Sequence, residues 1–173
     1  MKNRTAKLTA WGVMTALSLV LTVTEAMIIP AGLFPIPGFR LGLSNIVILI
    51  SVYLFGAIPS VGIVLLRTLA VFAFGGNLSA FLFSLCGGLL AVFAMLVLRQ
   101  TKLFSLFGVS AGGAAAHSIG QISAGAFFTG SARLFLYLPF LLWASIAAGL
   151  LIALLSVPIY RALDAFFKAP GSE

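Results

Sequence analysis

The sequence predicts an all-α integral membrane protein: a compact bundle of about six transmembrane helices with both termini cytoplasmic. Three observations predict it. The 173 residues are 62% hydrophobic and 8% charged, with a mean hydropathy of +1.22. Apolar stretches near the length of a membrane crossing, roughly 20 residues, recur along the chain. The Lys and Arg residues fall mostly between those stretches, where topology-setting charges belong. A soluble domain carries roughly 25% charged residues. A water-soluble fold of this length also leaves too much surface exposed to hide so apolar a chain. The length suits a single membrane domain over 1–173 with no separate soluble module.

The expected spans are 8–29, 41–57, 59–75, 78–98, 104–128 and 134–158. The first, fourth and sixth are long and strongly apolar. The second and third are short, and Gly56–Ala57–Ile58–Pro59 separates them. One crossing from 41 to 75 would take 35 residues, too many for a single helix, and Pro59 marks the break. The fifth is rich in Gly and Ala, so its hydropathy is weaker. With the N-terminus cytoplasmic, the inside segments hold Lys2, Arg4, Lys7, Arg99, Lys102, Arg161 and Lys168, and the outside loops hold Arg40 and Arg133. Seven against two places both termini inside. Trp11, Tyr53, Tyr137 and Tyr160 fall near span ends, as an interfacial aromatic belt would. The loop from Pro30 to Arg40 holds three prolines. It is semi-rigid, and its apolar side chains fold back over the bundle.

Several function classes drop out. The net charge of +7 is scattered, without basic runs or aromatic interleaving, so nucleic acid is no partner. No phosphate-cradling Gly-rich loop ends in Lys and Ser/Thr. The lone aspartate is Asp164, whereas Mg²⁺-diphosphate chemistry needs clustered carboxylates. The chain alone is therefore no aspartate-rich prenyltransferase, and it is expected to be non-catalytic by itself. No ligand set for a metal, haem or flavin is present, so no cofactor is expected. Cys86 lies in an apolar run as a small lipid-buried or helix-packing residue. No cleavable signal peptide is evident before the first span. The expected location is the inner (cytoplasmic) membrane of a bacterial cell, as a multi-pass protein.

Polar side chains inside a bilayer are costly, so each is a functional candidate. Thr15, Ser18, Thr22 and Glu25 recur at helical spacing and form one polar stripe facing other helices. Glu25, the only acid within the spans, is an interhelical anchor or a ligand-binding group. Arg67 sits roughly 13 Å from the inner end of its span, too deep to snorkel easily. Its expected partner is Glu25, with a bound anion as the alternative. His117 and Gln121 are four apart on one face with Gly113, Gly120 and Ala124. His117 is either a satisfied interhelical histidine or a proton-relay or ligand-binding group. Ser44 and Asn45 open the second span, and Asn77 caps the fourth. Glu25, Arg40, Asn45, Arg67, His117 and Gln121 are expected to line one outward-opening cavity. Ala6 and Ala10, then Gly12 and Ala16, are small-xxx-small pairs that let another helix approach.

Five stretches carry a family resemblance: Thr24 to Pro30, Pro37 to Ile46, Leu65–Leu66–Arg67, Ser84 to Leu89, and Gly113 to Gln121. Over about 8–158 the chain resembles the Gx transporter family, also described as heptaprenyl diphosphate synthase component I. Ser44–Asn45 and His117–Ser118–Ile119 depart mildly from the family's usual wording there. That family is in turn similar to the substrate-binding S components of energy-coupling-factor transporters. The resemblance implies a small-molecule binding subunit with the Pro-rich loop as lid. It implies docking through Ala6, Ala10, Gly12 and Ala16 onto a membrane coupling subunit, with ATPase subunits acting in trans. The second name implies instead a membrane partner of an isoprenoid-making synthase. A third implication is a membrane subunit of a flavin- or quinone-linked electron-transfer system.

Overall fold

Six α-helices follow the six apolar stretches in this computed structural model, which describes residues 2–28 and 42–168. Among the described residues there is no strand. Helix α1 (Lys2–Ile28) takes in the first span through residue 28. Helix α2 (Asn45–Leu54) has only 10 residues. At 1.5 Å per residue it is about 15 Å long, half of a roughly 30 Å hydrocarbon core. Helix α3 (Ala57–Ala73) follows at once, turning on Gly56 at φ +84. The break therefore falls at Phe55–Gly56, not at Pro59. Pro59 sits in the first turn of α3, where no N–H is owed to a preceding carbonyl.

Helix α4 (Leu78–Thr101) is capped by Asn77, whose side-chain oxygen accepts from the Ala80 N–H at 2.7 Å. Helix α5 (Leu106–Thr129) ends on Gly130 at φ +64. A 3₁₀ turn over Ala132–Tyr137 leads into α6 (Leu138–Lys168), which has 31 residues. Helix α6 runs ten residues past the expected end at 158. Hydropathy marks where the chain is apolar, not where the backbone stops being helical. Here Tyr160 and Leu163 pack against the cluster around Met14 and Ile63, and Phe167 meets the Phe55 ring at 5.7 Å.

Among the described residues, three helical segments are long and apolar enough to cross a membrane: Leu8–Ile28, Leu78–Thr101 and Ala132–Lys168. They correspond to the first, fourth and sixth expected spans. Many large apolar side chains on them face outward, among them Leu17, Val20, Phe93 and Leu154. Such a surface suits lipid and not water.

Helix α2 forms the centre of the bundle. Ile48, Leu49 and Val52 are fully buried against Val64, Val92, Met95, Val109 and Ile152 from four other helices, and Val47 is fully buried against Met14 and Ile63. Its C-terminal end is held by Arg99 of α4, which donates from Nη1 to the Val52 carbonyl and lies 5.1 Å over the Tyr53 ring. The Trp11 indole of α1 donates to the Pro59 carbonyl at 3.0 Å. These contacts gather the start of α1, the end of α2, the start of α3 and the ends of α4 and α6 at one end of the bundle. The N-terminus of α2 consequently lies deep inside it.

Candidate functional site

Around that buried helix start, Glu25, Ser44, Asn45 and Arg67 meet. On α1, Ser18, Thr22 and Glu25 are buried and Thr15 is half-buried, so the stripe does face inward. Thr22 returns its hydroxyl to the Ser18 carbonyl at 2.8 Å. Glu25 is only 2% exposed. Its Oε1 accepts from the Gly42 N–H and its Oε2 from the Leu43 N–H, both at 2.8 Å. Bonds of this kind to a charged acceptor are worth about 1.5–3 kcal/mol each. Gly42 adopts φ +85, and a Cβ there would lie 2.6 Å from the Asn45 Nδ2. A side chain at 42 is thus opposed by both backbone and neighbour.

One residue on, the Ser44 hydroxyl accepts from Arg67 Nη1 of α3. Arg67 is 1% exposed. The two buried charges thus act on consecutive residues, Glu25 on Gly42 and Leu43, and Arg67 on Ser44. In place of the expected direct ion pair between Glu25 and Arg67, the two charges each hold the 42–44 turn. The turn is also closed on itself: the Asn45 and Ile46 N–H groups donate to the Gly42 and Leu43 carbonyls.

Two adjacent glycines of α4 bring the other side chains to this point. A Cβ on Gly88 would lie 2.7 Å from Val64 Cγ1 and 3.1 Å from Arg67 Nη2. A Cβ on Gly87 would lie 2.9 Å from Gln121 Cγ and from the His117 carbonyl, and 3.0 Å from His117 Cε1. His117 and Gln121 are both buried, as their four-residue spacing anticipates. Glu25, Arg67, His117 and Gln121 thereby connect through Gly42–Ser44 and Gly87–Gly88, and Asn45 adjoins them. Site reasoning from sequence overlooked Gly42, Gly87 and Gly88. A glycine pair in mid-helix is the signal that would have found the last two.

The carboxamides of Asn45 and Gln121 stand apart in this network. Asn45 is fully buried and Gln121 is 4% exposed, yet among the described residues none of their four polar side-chain atoms has a hydrogen-bond partner. The Ser18 hydroxyl is likewise buried without one among those residues. Arg40 and the Pro30–Arg40 loop lie outside the described residues, as does the side chain of Ala6.

Two surface grooves flank the cluster. One, of about 380 Å³, lies between α1 and α3 and is lined by Gly12, Thr15, Ala16 and Arg67 among others. Gly12 and Ala16 are exposed and Ala10 is half-buried. The second, of about 650 Å³, lies between α4 and α5 and is lined mainly by apolar side chains, including Leu89, Phe93 and Phe127. It follows from the close helix approach at Gly120, where a Cβ would meet the Cys86 carbonyl at 2.7 Å. Among the described residues no three His, Cys, Asp or Glu side chains are grouped to hold a metal ion.

The chain matches the family model for heptaprenyl diphosphate synthase component I over residues 14–158, and it belongs to that family. No curated protein and no solved structure matches it.

Proposed function

We propose that this chain is the non-catalytic membrane component of a prenyl diphosphate synthase system, working beside a separate catalytic partner. The family match carries the reading, because residues 14–158 take in the whole central cluster and the α4–α5 groove. The division of labour rests on acid count. The sequence has three acidic residues, and the one inside the bundle, Glu25, spends both oxygens on backbone amides. A Mg²⁺-diphosphate site needs several free carboxylates, so the synthesis itself belongs to the partner. The chain would sit in the inner membrane as a six-span protein with both termini cytoplasmic. The end of the bundle holding the start of α1 and the ends of α4 and α6 carries most of the Lys and Arg. The test is prenyl diphosphate synthesis by membranes from cells with and without this chain. Activity that falls without it and returns on re-expression supports the reading. Equal activity in both refutes it.

A second reading has its own support. A helix start buried at mid-bundle, with Glu25 and Arg67 bound to the turn before it and Asn45 opening it, suits a subunit that binds a small molecule inside the membrane. The exposed Gly12 and Ala16 on the α1–α3 groove suit close docking of a partner helix. Together they fit the S-component-like binding subunit of an energy-coupling-factor-type transporter, with coupling and ATPase subunits in trans. Co-purification of those subunits would favour it.

A further inference from the structure

We infer that Asn45 and Gln121 form the recognition groups of a buried site for an uncharged ligand with a lactam or imide edge, an N–H beside a C=O. The inference deepens the binding-subunit reading above and rests on it. Its basis is the four carboxamide atoms of two side chains at least nine-tenths buried, all without partners among the described residues. Native proteins rarely leave buried polar atoms unpaired, and such groups call for an unseen partner. Both side chains border the same network. Asn45 follows Ser44, which Arg67 holds, and Gln121 packs on Gly87 beside the glycine that Arg67 touches.

The chemistry of the open groups selects the ligand. Among the described residues the network sets one carboxylate, Glu25, against one guanidinium, Arg67, and those two formal charges cancel. The N-terminus of α2 offers no anion site, because the N–H groups of Asn45, Ile46 and Val47 already donate to the Gly42, Leu43 and Ser44 carbonyls. What remains is two donor-and-acceptor pairs. A carboxamide matches another amide edge with two bonds, N–H to O on each side. A quinone would satisfy the side-chain N–H groups but leave both carboxamide oxygens buried and unpaired. Each such loss weakens binding by about tenfold. Since the amides are sealed from solvent, a ligand reaching them must shift the 42–45 turn. The Glu25 and Arg67 bonds to that turn then set how easily it moves.

The probe is uracil, which carries the required edge. Its N,N-dimethyl derivative keeps the carbonyls and loses the donors, and menadione is an uncharged quinone. Each is added to the purified chain in lipid nanodiscs, and thermal unfolding is followed by calorimetry. Uracil should raise the melting temperature, the other two should not, and Asn45→Leu and Gln121→Met should each abolish the shift. Those variants remove unpaired polar groups for similar volume, so they should unfold no earlier than the native chain. No shift with uracil, a shift that survives in both variants, or a response to menadione alone would overturn the assignment. Recovery of coupling and ATPase subunits with a chain that takes no uracil would overturn it while leaving the transporter reading intact.

Discussion

Replacing Glu25 by Gln tests how the buried charges work. The carboxylate accepts two backbone N–H bonds at 2.8 Å. A glutamine can accept one of them through its carbonyl, but its NH₂ group then faces the other N–H, donor against donor. One charge-assisted bond is lost outright, one is reduced to neutral strength, and a buried amide goes unpaired. At about 1.5–3 kcal/mol for a charged bond against about 1 for a neutral one, the substitution should cost about 2–5 kcal/mol. Arg67→Met removes the hold on Ser44 from the other side. Once either charge is gone, the 42–44 turn is already loosened and the second has less left to secure. The double variant should therefore cost about 1 kcal/mol less than the sum of the singles, within the range seen for residues sharing a network. Reversible unfolding in bicelles over the four-member cycle measures it. Additivity within about 0.5 kcal/mol would refute coupling through the turn.

Other consequences can be checked separately. Gly87→Ala would push a methyl to 2.9 Å from the His117 carbonyl, which is backbone and cannot swing away. It should destabilise by about 1–3 kcal/mol, whereas Gly12→Ala, which has open space at its Cβ, should be near neutral in the same unfolding assay. Cys86 being the only cysteine, a Cys86→Ser background allows topology mapping. Lys102→Cys should react with an impermeant maleimide only from the cytoplasmic side and Arg133→Cys only from outside; the reverse pattern would invert the orientation.

The parts of the fold legible in the sequence are those set by local chemistry. Leu8–Ile28 and Leu78–Thr101 announce themselves by length and hydropathy, and Asn77 by its capping position. The inward stripe of Ser18, Thr22 and Glu25 follows from helical spacing alone. The short reach of α2 does not, because its start is fixed by Glu25, 17 and 18 residues back along the chain from the amides it binds. Nor does the hold on its end, since Arg99 reaches the Val52 carbonyl 47 residues away. Pro59 misled because proline signals a break, yet the first turn of a helix tolerates it. The glycine pair 87–88 gained its meaning only once α3 and α5 were seen to press on α4 from two sides.

The most direct test of the proposed role is gentle co-purification of this chain from native membranes, with mass spectrometry of the proteins that accompany it. A prenyl diphosphate synthase subunit recovered in stoichiometric amount is the predicted result. Recovery of a coupling subunit with ATPases, and no synthase, would contradict it.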